Sequence, residues 1–267
     1  MKPQLMVAAE GGACGNFIGT QVYLMVDPAV VNLDDELITK NGSCDEFLPH
    51  AVLHLDMFRF KPTLSSPYPF TEAVAKIGLD ALSDPDQWYA HHIPEIYKKH
   101  MYITVTHWVT DSFINDAVKI NDLKIVYVSY TVNDTKHIAT NKILKNLEGG
   151  GNRTFFKDML VRHSKLESLS LLEQTENLYN LPRSVLNDLI DCWKNHLDMG
   201  LSENTSPTPN KNLLIINFSD IYNDRNRVLN QLSDFLNVPI TQKNYDFYDT
   251  YINAQNTVFD FINGKNV

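Results

Sequence analysis

The chain of 267 residues carries 23 Lys and Arg against 32 Asp and Glu, a formal net charge of −9, and a pI near 5.4. That excess of acid repels a polyanion over any long approach, which excludes a nucleic-acid-coating role but leaves room for a local pocket that takes a small anion. At 43% hydrophobic and 21% charged residues, with no run of 18 apolar residues and only a short apolar stretch at the start, the composition predicts a soluble, cytoplasmic globular protein with no membrane partner.

Cys14, Cys44 and Cys192 are odd in number and lack metal spacing, so neither a disulfide framework nor a metal site is expected. Five Asn-x-Ser/Thr sequons occur, at Asn41, Asn133, Asn152, Asn204 and Asn217. Asn is abundant enough to generate them freely, and Asn217 ends an apolar run that leaves a glycan no room.

In chain order, Leu5 to Ala9 is a short strand that stops at a glycine-rich turn, Glu10-Gly11-Gly12-Ala13-Cys14-Gly15-Asn16. Phe17 to Met25 then repeats at helical spacing. Residues 27–70 are irregular, with one apolar stretch, Ala51 to Phe60, open to strand or helix. Helices are expected over Thr71 to Leu82 and Asp86 to Lys98. Ile103 to Thr106 is β-branched and ends as a strand at His107, and Leu123 to Ser129 is a second such strand, followed by a helix through Leu147. After Gly149-Gly150-Gly151, helical patterns cover Thr154 to Leu172 and Leu181 to Met199, the latter with Pro182 in a permitted first-turn position. Leu213 to Phe218 is the most apolar strand. Ser219-Asp220 caps a helix to about Leu236, and Gln242 to Phe261 is a final amphipathic candidate whose aromatic residues pack on the core.

Strands alternate with helices, so the economical fold is a single α/β domain over 1–267: a mostly parallel sheet with helices on both faces and a helical insertion around 149–210. Ligands of such a sheet bind beyond the carboxyl ends of its strands, where the glycine-rich turn, His107 and Ser129 converge. Small residues let backbone N–H groups approach an anion, and the next helix offers its N-terminus. Asn16 and Thr20 add side-chain donors. The Gly-Lys-Ser/Thr ending of a nucleotide triphosphatase loop is absent. Cys14 either fills the tight loop or is a reactive thiol at a helix N-terminus.

Two longer stretches carry a resemblance. Leu213 to Asp224, followed by Val228 to Pro239, resembles the C-terminal strand–helix signature of the sulfotransferase superfamily. Gly15-Asn16-Phe17-Ile18 is similar to the end of that family's 5′-phosphosulfate loop, and Ile103-Thr104-Val105-Thr106-His107 resembles the strand end that carries its catalytic histidine. The resemblance implies a P-loop kinase-like three-layer sandwich. It also implies transfer of a sulfuryl group from 3′-phosphoadenosine 5′-phosphosulfate to a hydroxyl or amine of an unidentified acceptor, with no metal. His107 would be the general base. Gly12, Ala13, Cys14, Gly15, Asn16 and Phe17 would hold the 5′-phosphosulfate. Ser129, with Thr135 or Thr140, lies where the family binds the 3′-phosphate.

Where the family places a basic residue in the first loop, this chain has Ala13 or Cys14, and Val105 precedes Thr106 where the family has Lys. A cation must then arrive from elsewhere. Arg59, Lys136, Arg153 and Lys157 are the candidates, and Arg153 is favoured because the triglycine before it lets it fold over a bound anion. The alternative is a degenerate member that keeps the fold as a binding or assembly module, for example a virion component.

Overall fold

In a computed structural model, the structure describes residues 4–26, 52–54, 103–106, 111–120, 123–148, 153–203, 207–255 and 260. The expected helices at 71–82 and 86–98, and His107 itself, lie outside the described residues.

Five strands, β1 (Gln4–Ala8), β2 (Val52–His54), β3 (Ile103–Thr106), β4 (Leu123–Ser129) and β5 (Leu213–Asn217), form one sheet in the order β2-β3-β1-β4-β5. Every pairing is parallel. The expected mostly parallel α/β sheet is therefore present, with β1 at its centre. β1 reads as a continuous apolar run because both of its faces are covered. Leu5 and Val7 join Val126, Val128 and Ile216 in the larger core, while Met6 and Ala8 join Ile125, Tyr127 and Leu213 in the smaller one.

The smaller face packs on α2 (Asp111–Ala117) through Phe113, Ile114 and Ala117. The larger face takes α1 (Gly15–Val26), α3 (Thr135–Glu148), α4 (Arg153–Arg162), α5 (Leu166–Gln174), a 3₁₀ turn (Leu178–Asn180) and α6 (Arg183–Glu203), then α7 (Phe218–Asn223), α8 (Arg225–Leu236) and α9 (Gln242–Ala254). Helix α6 packs along α3, and α9 packs along α1. Phe17 of α1 lies fully buried between Phe247, Tyr248 and Tyr251 of α9, with ring centroids 5.8, 4.9 and 4.1 Å away. The aromatic residues of α9 are thus core, as their spacing suggested.

Two expected helices are each broken in two. Between α4 and α5 the chain turns at Ser164, with φ at 55°, where Lys165 N–H donates to Leu160 O and Ser164 N–H to Val161 O. That is a Schellman closure made without glycine. Between α7 and α8 the carboxylate of Asp224 accepts from Arg227 N–H and starts a new helix. Helix α2 has no counterpart among the expected elements.

Candidate functional site

The parallel register brings three strand ends to one edge. Ala8 stands opposite Thr106 of β3 on one side and Tyr127 of β4 on the other. The chain leaving β1 continues through α1 toward β2 and β3, whereas the chain leaving β4 continues through α3 toward β5. Adjacent strands whose connections diverge leave a crevice between them at their carboxyl ends, the position where open α/β sheets bind ligands. The glycine-rich turn follows β1 at that end of the sheet and α3 follows β4.

The turn closes with Ala13 N–H donating to Glu10 O at 2.8 Å, and Gly12 adopts a φ of 99°, the left-handed conformation that a type II turn requires at its third residue. Cys14 also has positive φ, 65°, and its carbonyl accepts the first bond of α1, from Ile18 N–H at 3.0 Å. The helix therefore begins with the N–H groups of Gly15, Asn16 and Phe17, which have no partner in the turn before them.

Helix α3 lies directly on the turn. A Cβ built on Gly12 would collide with the backbone oxygen of Ile138 and approach Lys142 N to 3.1 Å. Asn141 Nδ2 donates to Gly12 O at 3.2 Å and to Tyr222 Oη at 3.3 Å. A Cβ built on Gly11 would meet Lys142 along its length, at 3.4 Å from Cδ, 3.2 Å from Cε and 3.0 Å from Nζ. The same ammonium lies 5.6 Å from the centre of the Trp193 ring on α6. Ile138, Asn141, Lys142 and Lys145 recur at i, i+3, i+4 and i+7, one face of the helix.

Beneath the turn, Cys14 Sγ lies 3.2 Å from Tyr222 Oη and 3.0 Å from Tyr251 Oη. Burial pushes this thiol up to about 11, against the opposing pull of the two phenols and of Lys145. A thiol held there is not a nucleophile near neutral pH, so Cys14 fills the loop. Burial likewise holds the Tyr222 phenol well above its ordinary value. Tyr130, just after β4, is raised first by burial and then by the Glu10 carboxylate, which places that acid's field on the β4 side of the turn.

Of the residues expected to bind a ligand, the structure gathers Gly12, Ala13, Cys14, Gly15, Asn16 and Phe17 in the turn, with the side chains of Cys14 and Phe17 committed to the core. Ser129 stands at the same sheet edge and donates to Asn217 Oδ1 at 2.9 Å. Thr140 is fully buried, and its hydroxyl donates back to Lys136 O at 2.8 Å; Thr20 is fully buried too and bonds back to Asn16 O at 2.8 Å. Thr135 is equally buried and bonds to Val132 O. The hydroxyls of Thr20 and Thr140 are turned to their own backbone, as Thr does inside a helix when no better acceptor is near, while that of Thr135 also faces the Asp198 carboxylate.

Arg153 does not fold over the turn. Its guanidinium donates to Leu172 O, Thr175 O and Glu176 O at 2.5, 2.6 and 3.0 Å, closing the end of α5. Lys157 pairs with Glu173 on the same hairpin. Among the described residues Lys142 lies against the turn, on the same helix as the candidate Lys136, which is exposed, and Lys145 acts on Cys14 from further along that helix. The stripe Ile138, Asn141, Lys142, Lys145 was the sequence signal for Lys142. Asn217, expected to leave no room for a glycan, is exposed at the end of β5.

Two buried acceptors beside this arrangement, Asn16 Oδ1 and Asn141 Oδ1, and the indole Trp193 Nε1 have no hydrogen-bonding partner among the described residues. The donor set of first-turn amides plus an ammonium suits an anion, whereas the two side-chain oxygens, as acceptors, suit only a hydroxyl or amine donor beside it. The hydroxyls at 135 and 140 do not suit a 3′-phosphate. Among the described residues no group of three or more His, Cys, Asp or Glu could hold a metal ion, and no helix is long and apolar enough to cross a membrane. No family model, curated protein or solved structure matches this chain.

Proposed function

We propose that the chain is a sulfotransferase-like protein that binds the 5′ end of an adenosine phosphosulfate at the β1–α1 turn and transfers its sulfuryl group to a hydroxyl or amine. The observation that carries this is the register of Ala8 with Thr106 and Tyr127. It sets the turn, the strand that precedes His107 and the loop after Ser129 at one edge, as the sequence resemblance requires. The strand order β2-β3-β1-β4-β5 supports the P-loop kinase-like sandwich as the finer description of the fold.

In this scheme the amides of Gly15, Asn16 and Phe17 orient the anion. His107 takes the proton of the acceptor as its oxygen or nitrogen attacks. The bound phosphosulfate supplies the sulfuryl group, with the nucleotide bisphosphate as leaving group.

Titration calorimetry with 3′-phosphoadenosine 5′-phosphate tests the proposal. Heat of binding at micromolar to millimolar ligand is expected, and silence at millimolar ligand overturns it. With binding in hand, His107→Ala is expected to abolish transfer and spare affinity.

A second reading has its own observation. The side chains of Thr20, Thr140 and Arg153 are all spent on backbone carbonyls, which is what a fold kept as a binding or assembly module would show. Silence in the same calorimetry favours it.

A further inference from the structure

We infer that Lys142 supplies, from helix α3, the positive charge that the glycine-rich turn lacks, and that it contacts the anion bound at that turn. This rests on the proposal that the turn is an anion site.

Among residues 4–26 there is no Lys or Arg. An anion held only by helix amides would have its charge met by partial dipoles, and the first residue of the turn is the acid Glu10, whose carboxylate acts on Tyr130. Lys142 changes that balance. Its stem lies in the space that a side chain on Gly11 would fill, so glycine at position 11 is what lets the lysine lie across the loop. Its ammonium is further steadied over the face of Trp193 at 5.6 Å. Asn141, the residue before it, is anchored to Gly12 O by its Nδ2 and keeps a buried Oδ1 without a partner among the described residues. Anchored backbone, glycine-cleared path and aromatic backing together fix a cation beside the first turn of α1. A charge fixed in advance stabilises an anion more than one that must be brought in.

The geometry also explains the division of labour between the two glycines. Gly12 meets backbone and permits α3 to dock, whereas Gly11 meets only the flexible lysine. One glycine builds the contact and the other opens the path.

The test uses the whole chain and 3′-phosphoadenosine 5′-phosphate as probe. Calorimetry compares wild type with Lys142→Gln, Lys142→Met, Lys142→Arg and, as a charge control, Lys211→Gln, exposed just before β5. Loss of about tenfold or more in affinity is expected for Gln and Met, with retention in Arg and in the control. Equal affinity in wild type and Lys142→Met overturns the role of Lys142 while leaving the turn as an anion site. Absence of binding in wild type overturns the site itself and the lysine with it. Should the variants fail to fold, acylation of wild type by an amine-reactive ester, read by peptide mass spectrometry, replaces them. The ligand is expected to slow modification of Lys142 about fivefold or more and leave Lys211 unchanged, since a bound lysine loses access and nucleophilicity together. Equal rates with and without ligand, under conditions where the ligand binds, overturn the inference.

Discussion

Gly12 and Ile138 are in backbone contact: the carbonyl oxygen of Ile138 occupies the place where any side chain at position 12 would begin. The turn after β1 and the helix after β4 are thereby one unit, and the conformation of Gly12, with φ at 99°, belongs to that contact as much as to the turn.

Substitution separates the two glycines of this unit. Gly12→Ala meets both a forbidden φ and a backbone atom that cannot swing away, and is expected to cost more than about 2 kcal/mol. Gly11→Ala displaces only the far end of Lys142 and is expected to cost well under about 1 kcal/mol while weakening anion binding. Urea titration of both variants checks the first expectation, and calorimetry on Gly11→Ala checks the second.

His137, one residue before Ile138, gives the fold an acid-sensitive point. Its ring lies 4.4 Å from that of Tyr222 and 5.1 Å from that of Phe218. Burial pushes it down to about 4, against the raising influence of the Asp134 carboxylate and a hydrogen bond with Gln255. The unfolded chain takes up this proton at a pH near 6.5, before the folded one does. Stability is then full above that pH and falls as pH drops toward 4, by about 2–3 kcal/mol at pH 4.5. Urea midpoints at pH 7 and pH 4.5 should differ by correspondingly less in His137→Phe than in wild type.

Arg153 closes the α4–α5 hairpin. Arg153→Ala leaves three carbonyls without their donor and is expected to cost about 1–2 kcal/mol. Ligand affinity should stay at the wild-type value. A drop in affinity beyond about threefold in a variant that retains its fold would return Arg153 to the site.

Both described cysteines should be silent toward thiol reagents in the native state. Cys14 and Cys192 are buried, and burial holds each near 11. Peptide mapping after iodoacetamide treatment at pH 7.5 should find neither modified until denaturant is added, because only the thiolate reacts.

The strands were legible because their evidence is local. Leu123 to Ser129 carries the β-branched Ile125, Val126 and Val128 with Tyr127 between them, and the structure places β4 on those same residues. Helix ends were less so. Ser164 closes α4 in a conformation usually left to glycine, and no residue type announced it. Asp224 does announce a helix start, but the apolar stripe through Ile221 and Val228 masked the break. At the site, the turn could be recognised by its glycines. Its partners could not, since Lys142, Tyr222 and Tyr251 reach it from elements 100 or more residues away whose docking depends on the completed sheet. Arg153 was misplaced for the converse reason: a flexible glycine tract suggests reach, and only tertiary packing shows that the guanidinium has already found acceptors.

The two phenols on Cys14 set the order in which this protein can be assembled. Their positions, separated from Cys14 by 208 and 237 residues, make the support beneath the central turn among the most non-local contacts in the chain. Such contacts are slow to form because the intervening loop must close first. During synthesis β1 and its turn emerge early and wait, without α7 and α9 beneath them, until residues 218–254 have been made. A ribosome-bound chain ending before α9 should therefore expose Cys14 to alkylation, and the moment of its protection would time the closing of the fold.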